Sequence, residues 1–174
     1  MAKADNTDNS QKLSADQLNA LSEYSSREFL QEIYKPIKGI VKKKSGENPV
    51  SQLSNGQRAL YYFNLLDTIV SKEGFGIFYW EYYWEDVELT VKNIKESLLY
   101  FKCMELFEIV AQSEKIFKEY EHLYESNKWI DNSVAIDKNT PKFDDLDDKY
   151  MKHAIDGYNR IKDVVLFNEN EFCE

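Results

Sequence analysis

The chain reads as an all-α protein, a single-domain helical bundle of about six helices, and three observations predict it. Apolar residues recur at three- and four-residue spacing along most of the 174 positions. Ser-x-x-Gln capping signals open two of those stretches. Strand-like alternation is absent throughout. Leu, Ile, Val and Phe together make up about 26% of the chain, above the roughly 20% floor for disorder, so a core can form.

Residues 1–12 are polar, lack apolar periodicity and read as a disordered tail, leaving 13–174 as the α-helical domain. Ser14-Ala15-Asp16-Gln17 has the form of a capping box and predicts a helix start. Leu18, Leu21, Tyr24, Leu30, Ile33 and Tyr34 give that helix its apolar side, and Pro36 is expected to end it. Lys42 to Lys44, then Ser45, Gly46, Asn48 and Pro49, form a linker, with the lysines as a solvated loop. Ser54-Asn55-Gly56-Gln57 repeats the capping signal, and Ala59, Leu60, Phe63, Leu66 and Val70 build a second apolar face. Gly74 and Gly76 are expected to break that helix.

Seven of the ten residues from Phe75 to Trp84 are aromatic: Phe75, Phe78, Tyr79, Trp80, Tyr82, Tyr83 and Trp84. Rings can stack nucleic-acid bases, but such platforms come with basic grooves, and the neighbours here are Glu81, Glu85, Asp86 and Glu88. The expected role is a helix wedging rings into the core or a subunit interface. Phe78, Tyr79, Trp80, Tyr83 and Trp84 are the interface candidates, and a homodimer is expected because exposed apolar patches mark interfaces.

Val87, Val91, Ile94, Leu98 and Phe101 begin a further helical pattern, which Met104, Phe107, Val110, Ala111 and Phe117 continue. No Gly or Pro interrupts residues 77–140, so the boundary near Tyr100 stays open. A loop follows Asn127, and a last helix spans about 144–167, its face set by Tyr150, Ala154, Tyr158, Ile161 and Val165.

The formal charge of −9 is uneven, with a net +1 in residues 1–50, −3 in 51–100 and −7 in 101–174. So acidic a second half repels phosphate and disfavours direct binding to nucleic acid or anionic membranes, leaving basic partners open. The longest apolar run free of charge, Ala59 to Leu66 with only Asn64 interrupting it, is far short of a membrane span. Residues 1–11 lack the apolar stretch of a signal peptide, and two cysteines imply no disulfide framework, so a cytoplasmic location is expected.

No catalytic, cofactor-binding or metal-binding constellation stands out. His122 and His153 lack the neighbouring ligands a zinc site needs. Asp144-Asp145-Leu146-Asp147-Asp148 lacks the spacing of a calcium loop, and acids there suit the dipole of the last helix. With only Glu119 and His122 in Glu-x-x-His form, a di-iron centre fails on ligand count. No phosphate loop or nucleophile elbow occurs.

The order of features from 51 to 172 resembles the bacterial DNA-mimic protein family. It is carried by Leu53-Ser54-Asn55-Gly56-Gln57-Arg58, the Gly74-Phe75 turn, Ala111-Gln112-Ser113-Glu114-Lys115-Ile116-Phe117, Phe143-Asp144-Asp145-Leu146-Asp147-Asp148-Lys149-Tyr150 and Asn170-Glu171-Phe172. The family's turn usually reads Asn-Gly-Gly-Phe, where this chain has Lys72-Glu73-Gly74-Phe75. The resemblance implies a non-enzymatic protein that imitates DNA to occupy a DNA-binding regulator.

The residues therefore predict an acidic binding protein, not an enzyme and without cofactors, engaging a basic protein. Its expected acidic face is Glu114, Glu119, Glu121, Glu125, Asp144, Asp145, Asp147 and Asp148. Two alternatives remain: an immunity- or antitoxin-like inhibitor of a nuclease, and an enzyme with a site around residues 78–88.

Overall fold

The computed structural model describes residues 13–43, 49–124 and 141–173. Among these the chain forms six α-helices: α1 (Ala15–Leu21), α2 (Ser26–Lys43), α3 (Asn55–Tyr83), α4 (Val87–Tyr100), α5 (Met104–Tyr120) and α6 (Pro141–Phe167). Short 3₁₀ turns at Pro49–Gln52, Glu121–Leu123 and Glu169–Glu171 complete it. The expected linker from Lys42 to Pro49 is shorter than predicted, since Lys42 and Lys43 end α2 and Pro49 opens a 3₁₀ turn. Its residues 44–48, the expected tail of residues 1–12 and the loop after Asn127 lie outside the described residues. No helix among those described is long and apolar enough to cross a membrane.

Both predicted capping boxes form. Ser14 accepts from the Gln17 N–H while Gln17 accepts from the Ser14 N–H, and Ser54 and Gln57 repeat the exchange. Two expectations about the first helix need correction. It ends at Leu21, and a new helix starts behind Ser25, whose N–H and hydroxyl both donate to the Glu28 carboxylate. Pro36 lies inside α2 instead of ending it. Proline removes one intrahelical bond, but buried Ile33 and Ile37 hold the helix against the core on both sides of it.

α3 and α6 are the long members of the bundle. α3 packs on α2, α4 and α6, while α6 packs on α2, α3 and α5. Of the two glycines expected to break this helix, Gly74 does so, its φ of 80° and ψ of 175° interrupting α3, while Gly76 stays helical. That combination is open almost only to glycine. The open boundary near Tyr100 resolves into a tight corner at Phe101–Cys103, with Lys102 at φ 57°.

Polar groups tie these helices together. Oδ1 of Asp67, on α3, accepts hydroxyls from Tyr158 at 2.7 Å, Ser71 at 2.8 Å and Tyr150 at 3.1 Å, so one carboxylate joins α3 to two turns of α6. Lys162 donates to the carbonyls of Ser22 and Tyr24 and anchors the end of α1 to α6. The C-terminal turn folds over the start of α3. There the Glu171 carboxylate accepts from the Gly56 N–H and the Tyr100 hydroxyl, and the Ser54 hydroxyl donates to the Glu171 carbonyl. Phe172 lies so close that a Cβ on Gly56 would meet its ring at 2.7 Å.

Candidate functional site

The Gly74 break decides where the aromatic residues go. It turns residues 75–83 inward, across α5 and the start of α6. Tyr79 stacks on Phe117 with centroids 4.4 Å apart and rings 9° from parallel, and on Phe143 at 5.8 Å. Its hydroxyl meets the Ser113 hydroxyl at 2.9 Å. Trp80 packs on Tyr124 at 6.0 Å. Phe78, Tyr79 and Trp80 are 1%, 0% and 4% exposed, so these three interface candidates are instead core residues of this chain. Tyr83 is half-buried between Phe117 and Tyr124. Trp84 alone keeps most of its ring outside, at 56%. The rings that an enzymatic site around residues 78–88 would draw on are thus largely consumed by packing.

The expected acidic face divides in a similar way. Asp147 is half-buried, and its Oδ1 accepts the Phe75 N–H at 2.8 Å. Because the chain reverses at Gly74, that N–H opens a new helical run and has no carbonyl behind it. Asp147 fills the gap as a cap from another helix, and so leaves the outward patch. Glu114 bridges Lys95 at 2.6 Å and Lys118 at 3.3 Å. Partial burial opposes its charged form, but hydrogen bonds and charge from both lysines prevail and hold its pKa below the ordinary value. Glu114 therefore joins α4 to α5. Glu125 lies outside the described residues.

Glu119, Glu121, Asp144, Asp145 and Asp148 are exposed. α5 and α6 run antiparallel: Leu106, at the start of α5, lies over Gly157, while Phe117 and Phe143 share the Tyr79 ring. The two helices also present Glu105, Glu108, Asp156 and Asp163 to solvent, which the sequence reading left out. Their signal was available, since each lies off the apolar stripe of its helix. Lys115, Lys118, Lys149, Lys152 and Arg160 are interspersed among them.

A groove of about 470 Å³ at the other end of this helix pair is lined by Cys103, His153, Asp156 and Arg160, among others. Burial pushes the Cys103 thiol up to about 12, with the Arg160 charge only partly opposing it. A nucleophilic cysteine needs the thiolate, so this groove is not built for thiol chemistry. Among the described residues, no group of three or more His, Cys, Asp or Glu could hold a metal ion.

Fold and surface together define an acidic all-α bundle that displays carboxylates from neighbouring helices. The sequence model of the DMP19-like proteins matches residues 51–165, and the chain belongs to that family, the DNA-mimic family its features resemble. The match starts beside the capping box of α3 and stops inside α6, so α1, α2 and the C-terminal turn lie outside it. No curated protein and no solved structure matches the chain.

Proposed function

We propose that this chain is a non-enzymatic binding protein that engages a basic, DNA-binding protein by offering carboxylates where that partner ordinarily meets phosphates. Family membership is the observation that carries this reading. The exposed acids of α5 and α6 support it, because clustered charge of one sign steers an oppositely charged partner and speeds its association. A DNA-binding partner puts the interaction in the cytoplasm.

Magnitudes set the form of the mimicry. Duplex DNA carries a charge every ~1.7 Å of axis, so nine net charges match about 15 Å of duplex. One helix with an acid per turn supplies a charge only every ~5.4 Å. Several helices must contribute, and a homodimer would double the acidic surface. The buried rings of residues 78–80 no longer argue for that dimer; the charge requirement does.

The test is capture of partners from the native host, followed by competition with duplex DNA. A basic DNA-binding protein that duplex DNA displaces, and whose affinity falls steeply with salt, is the expected result. A captured nuclease whose cleavage is blocked would move the assignment to an inhibitor. Captured proteins that ignore both DNA and salt would defeat the reading. Sedimentation at twice the 20.5 kDa of one chain is expected for the dimer, and a monomer at tens of micromolar would remove it.

A further inference from the structure

The turn joining α3 to α4 departs from the rest of the surface. From residue 73 to residue 91 the chain has no Lys or Arg, yet it carries Glu73, Glu81, Glu85, Asp86 and Glu88, all exposed. Asp86 is committed to capping α4 through the Leu89 N–H at 3.0 Å. Glu81, Glu85 and Glu88 form no ion pair among the described residues.

Aromatic rings flank these carboxylates. Glu81 sits on the last turn of α3, with Trp84 and Tyr82 to either side of it at about 100° per residue. Glu85 follows in the bend just past the helix end, its N–H donating to the Tyr82 carbonyl at 3.2 Å. Trp84 meets Tyr83 edge-on at 5.1 Å and stays 56% exposed. Tyr82 rests on buried Phe78 at 5.3 Å. Because α3 folds back at Gly74, Tyr82 comes near Tyr61 at the other end of α3 and Tyr34 on α2. Burial and the surrounding charges, including Tyr61, Glu85, Glu81 and Tyr34, raise the Tyr82 hydroxyl above its ordinary value. Tyr61 responds to Glu85 in the same direction, after burial. Tyr34, Tyr61 and Tyr82 are all half-buried, so each keeps part of its surface in reach of a partner. The result is a carboxylate ridge between two aromatic walls, drawn from two helices and from both halves of α3.

We propose that this surface grips an arginine-bearing segment of the basic partner, with guanidinium groups over Trp84 and Tyr82 and paired with Glu81 and Glu85. The inference rests on the function proposed above and locates where the partner is held most tightly. Guanidinium suits the place because it stacks on aromatic faces and also pairs with carboxylates in a planar fork. An exposed Trp with adjoining Tyr residues has the composition of interface residues that carry most of the binding energy. The α5 and α6 carboxylates, interspersed with lysines, attract the partner from a distance; the ridge beside Trp84 retains it.

A short peptide of alternating arginine and alanine serves as the probe, titrated at low salt into the isotope-labelled full chain while amide and indole N–H resonances are followed. The Trp84 indole and the amides of Glu81 and Glu85 should move first. Trp84→Ala, and separately Glu81→Gln with Glu85→Gln, should each weaken binding about tenfold, with Trp84→Phe losing much less. The Gln pair also covers the case in which Trp84→Ala does not fold. If the Asp145 and Asp148 amides respond while Trp84 stays still, the basic-partner reading stands and this surface is wrong. If no resonance moves, both are wrong.

Discussion

The carboxylate of Asp147 on α6 accepts the backbone N–H of Phe75 at 2.8 Å, across 72 positions of sequence. A residue that looks like one more aspartate in an acidic run is the cap of a helical segment elsewhere. Asp147→Ala would leave that N–H without an acceptor, and stability should fall by about 1–3 kcal/mol. Asp145→Asn with Asp148→Asn, both on exposed side chains, should stay within about 0.5 kcal/mol. Urea unfolding separates the two outcomes; equal midpoints for Asp147→Ala and the double variant would refute the cap.

Gly74 faces that same carboxylate. An added Cβ would collide with Asp147, and the positive φ strains any other residue. Gly74→Ala should therefore cost about 1–3 kcal/mol, against the usual gain from replacing a helical glycine. A variant as stable as the parent in thermal melts would show that the reversal is not needed.

Asp67 is a second interhelical joint. Asp67→Ala strands the hydroxyls of Tyr150, Tyr158 and Ser71, of which Tyr150 is fully buried, and about 3 kcal/mol of destabilisation is expected. Near-ultraviolet circular dichroism should weaken with it, since the tyrosines lose their fixed setting. An unchanged spectrum and midpoint would count against the joint.

High pH probes the same contacts. Burial, followed by the Asp67 carboxylate, raises Tyr158 to about 12, and burial with the Glu171 contact raises Tyr100 to about 12. A raised folded pKa means that the folded state keeps its proton longer than the unfolded chain. That stability is fully present below about pH 10 and is lost as pH rises from about 10 toward 12. Absorbance of tyrosinate against pH should show late-ionising groups and unfolding over this window, with Tyr100→Phe and Tyr158→Phe flattening the dependence. A melting temperature constant from pH 9 to about pH 12 would contradict it.

The association kinetics form the functional prediction. Neutralising Glu119, Glu121, Asp145 and Asp148 together should slow binding of a captured partner and reduce its salt dependence, while leaving helix content unchanged. Rapid-mixing measurements over a range of salt provide the check. Unaltered on-rates would mean that these carboxylates do not face the partner.

Much of this molecule was legible in order along the chain because its determinants are local. Capping at Ser14 and Ser54 involves groups three residues apart, and the three- and four-residue spacing of α3 to α6 reports a face that any core would cover. The break at Gly74 follows from a backbone geometry that only glycine adopts readily. Family membership is read from the same ordered features. What needed the tertiary structure is every role set by a distant neighbour. Glu171 reaches Gly56 across 115 positions, and Asp147 reaches Phe75 across 72. Pro36 stays helical because Ile33 and Ile37 have a core to hold them, which periodicity alone does not reveal. Sequence showed that residues 75–84 were rich in aromatics, but not which rings would be hidden. That depended on which distant rings lie across the inward-turned segment, with Phe117 and Phe143 on Tyr79 and Tyr124 on Trp80 while Trp84 stays exposed, because burial is a property of what packs on a residue from elsewhere in the chain.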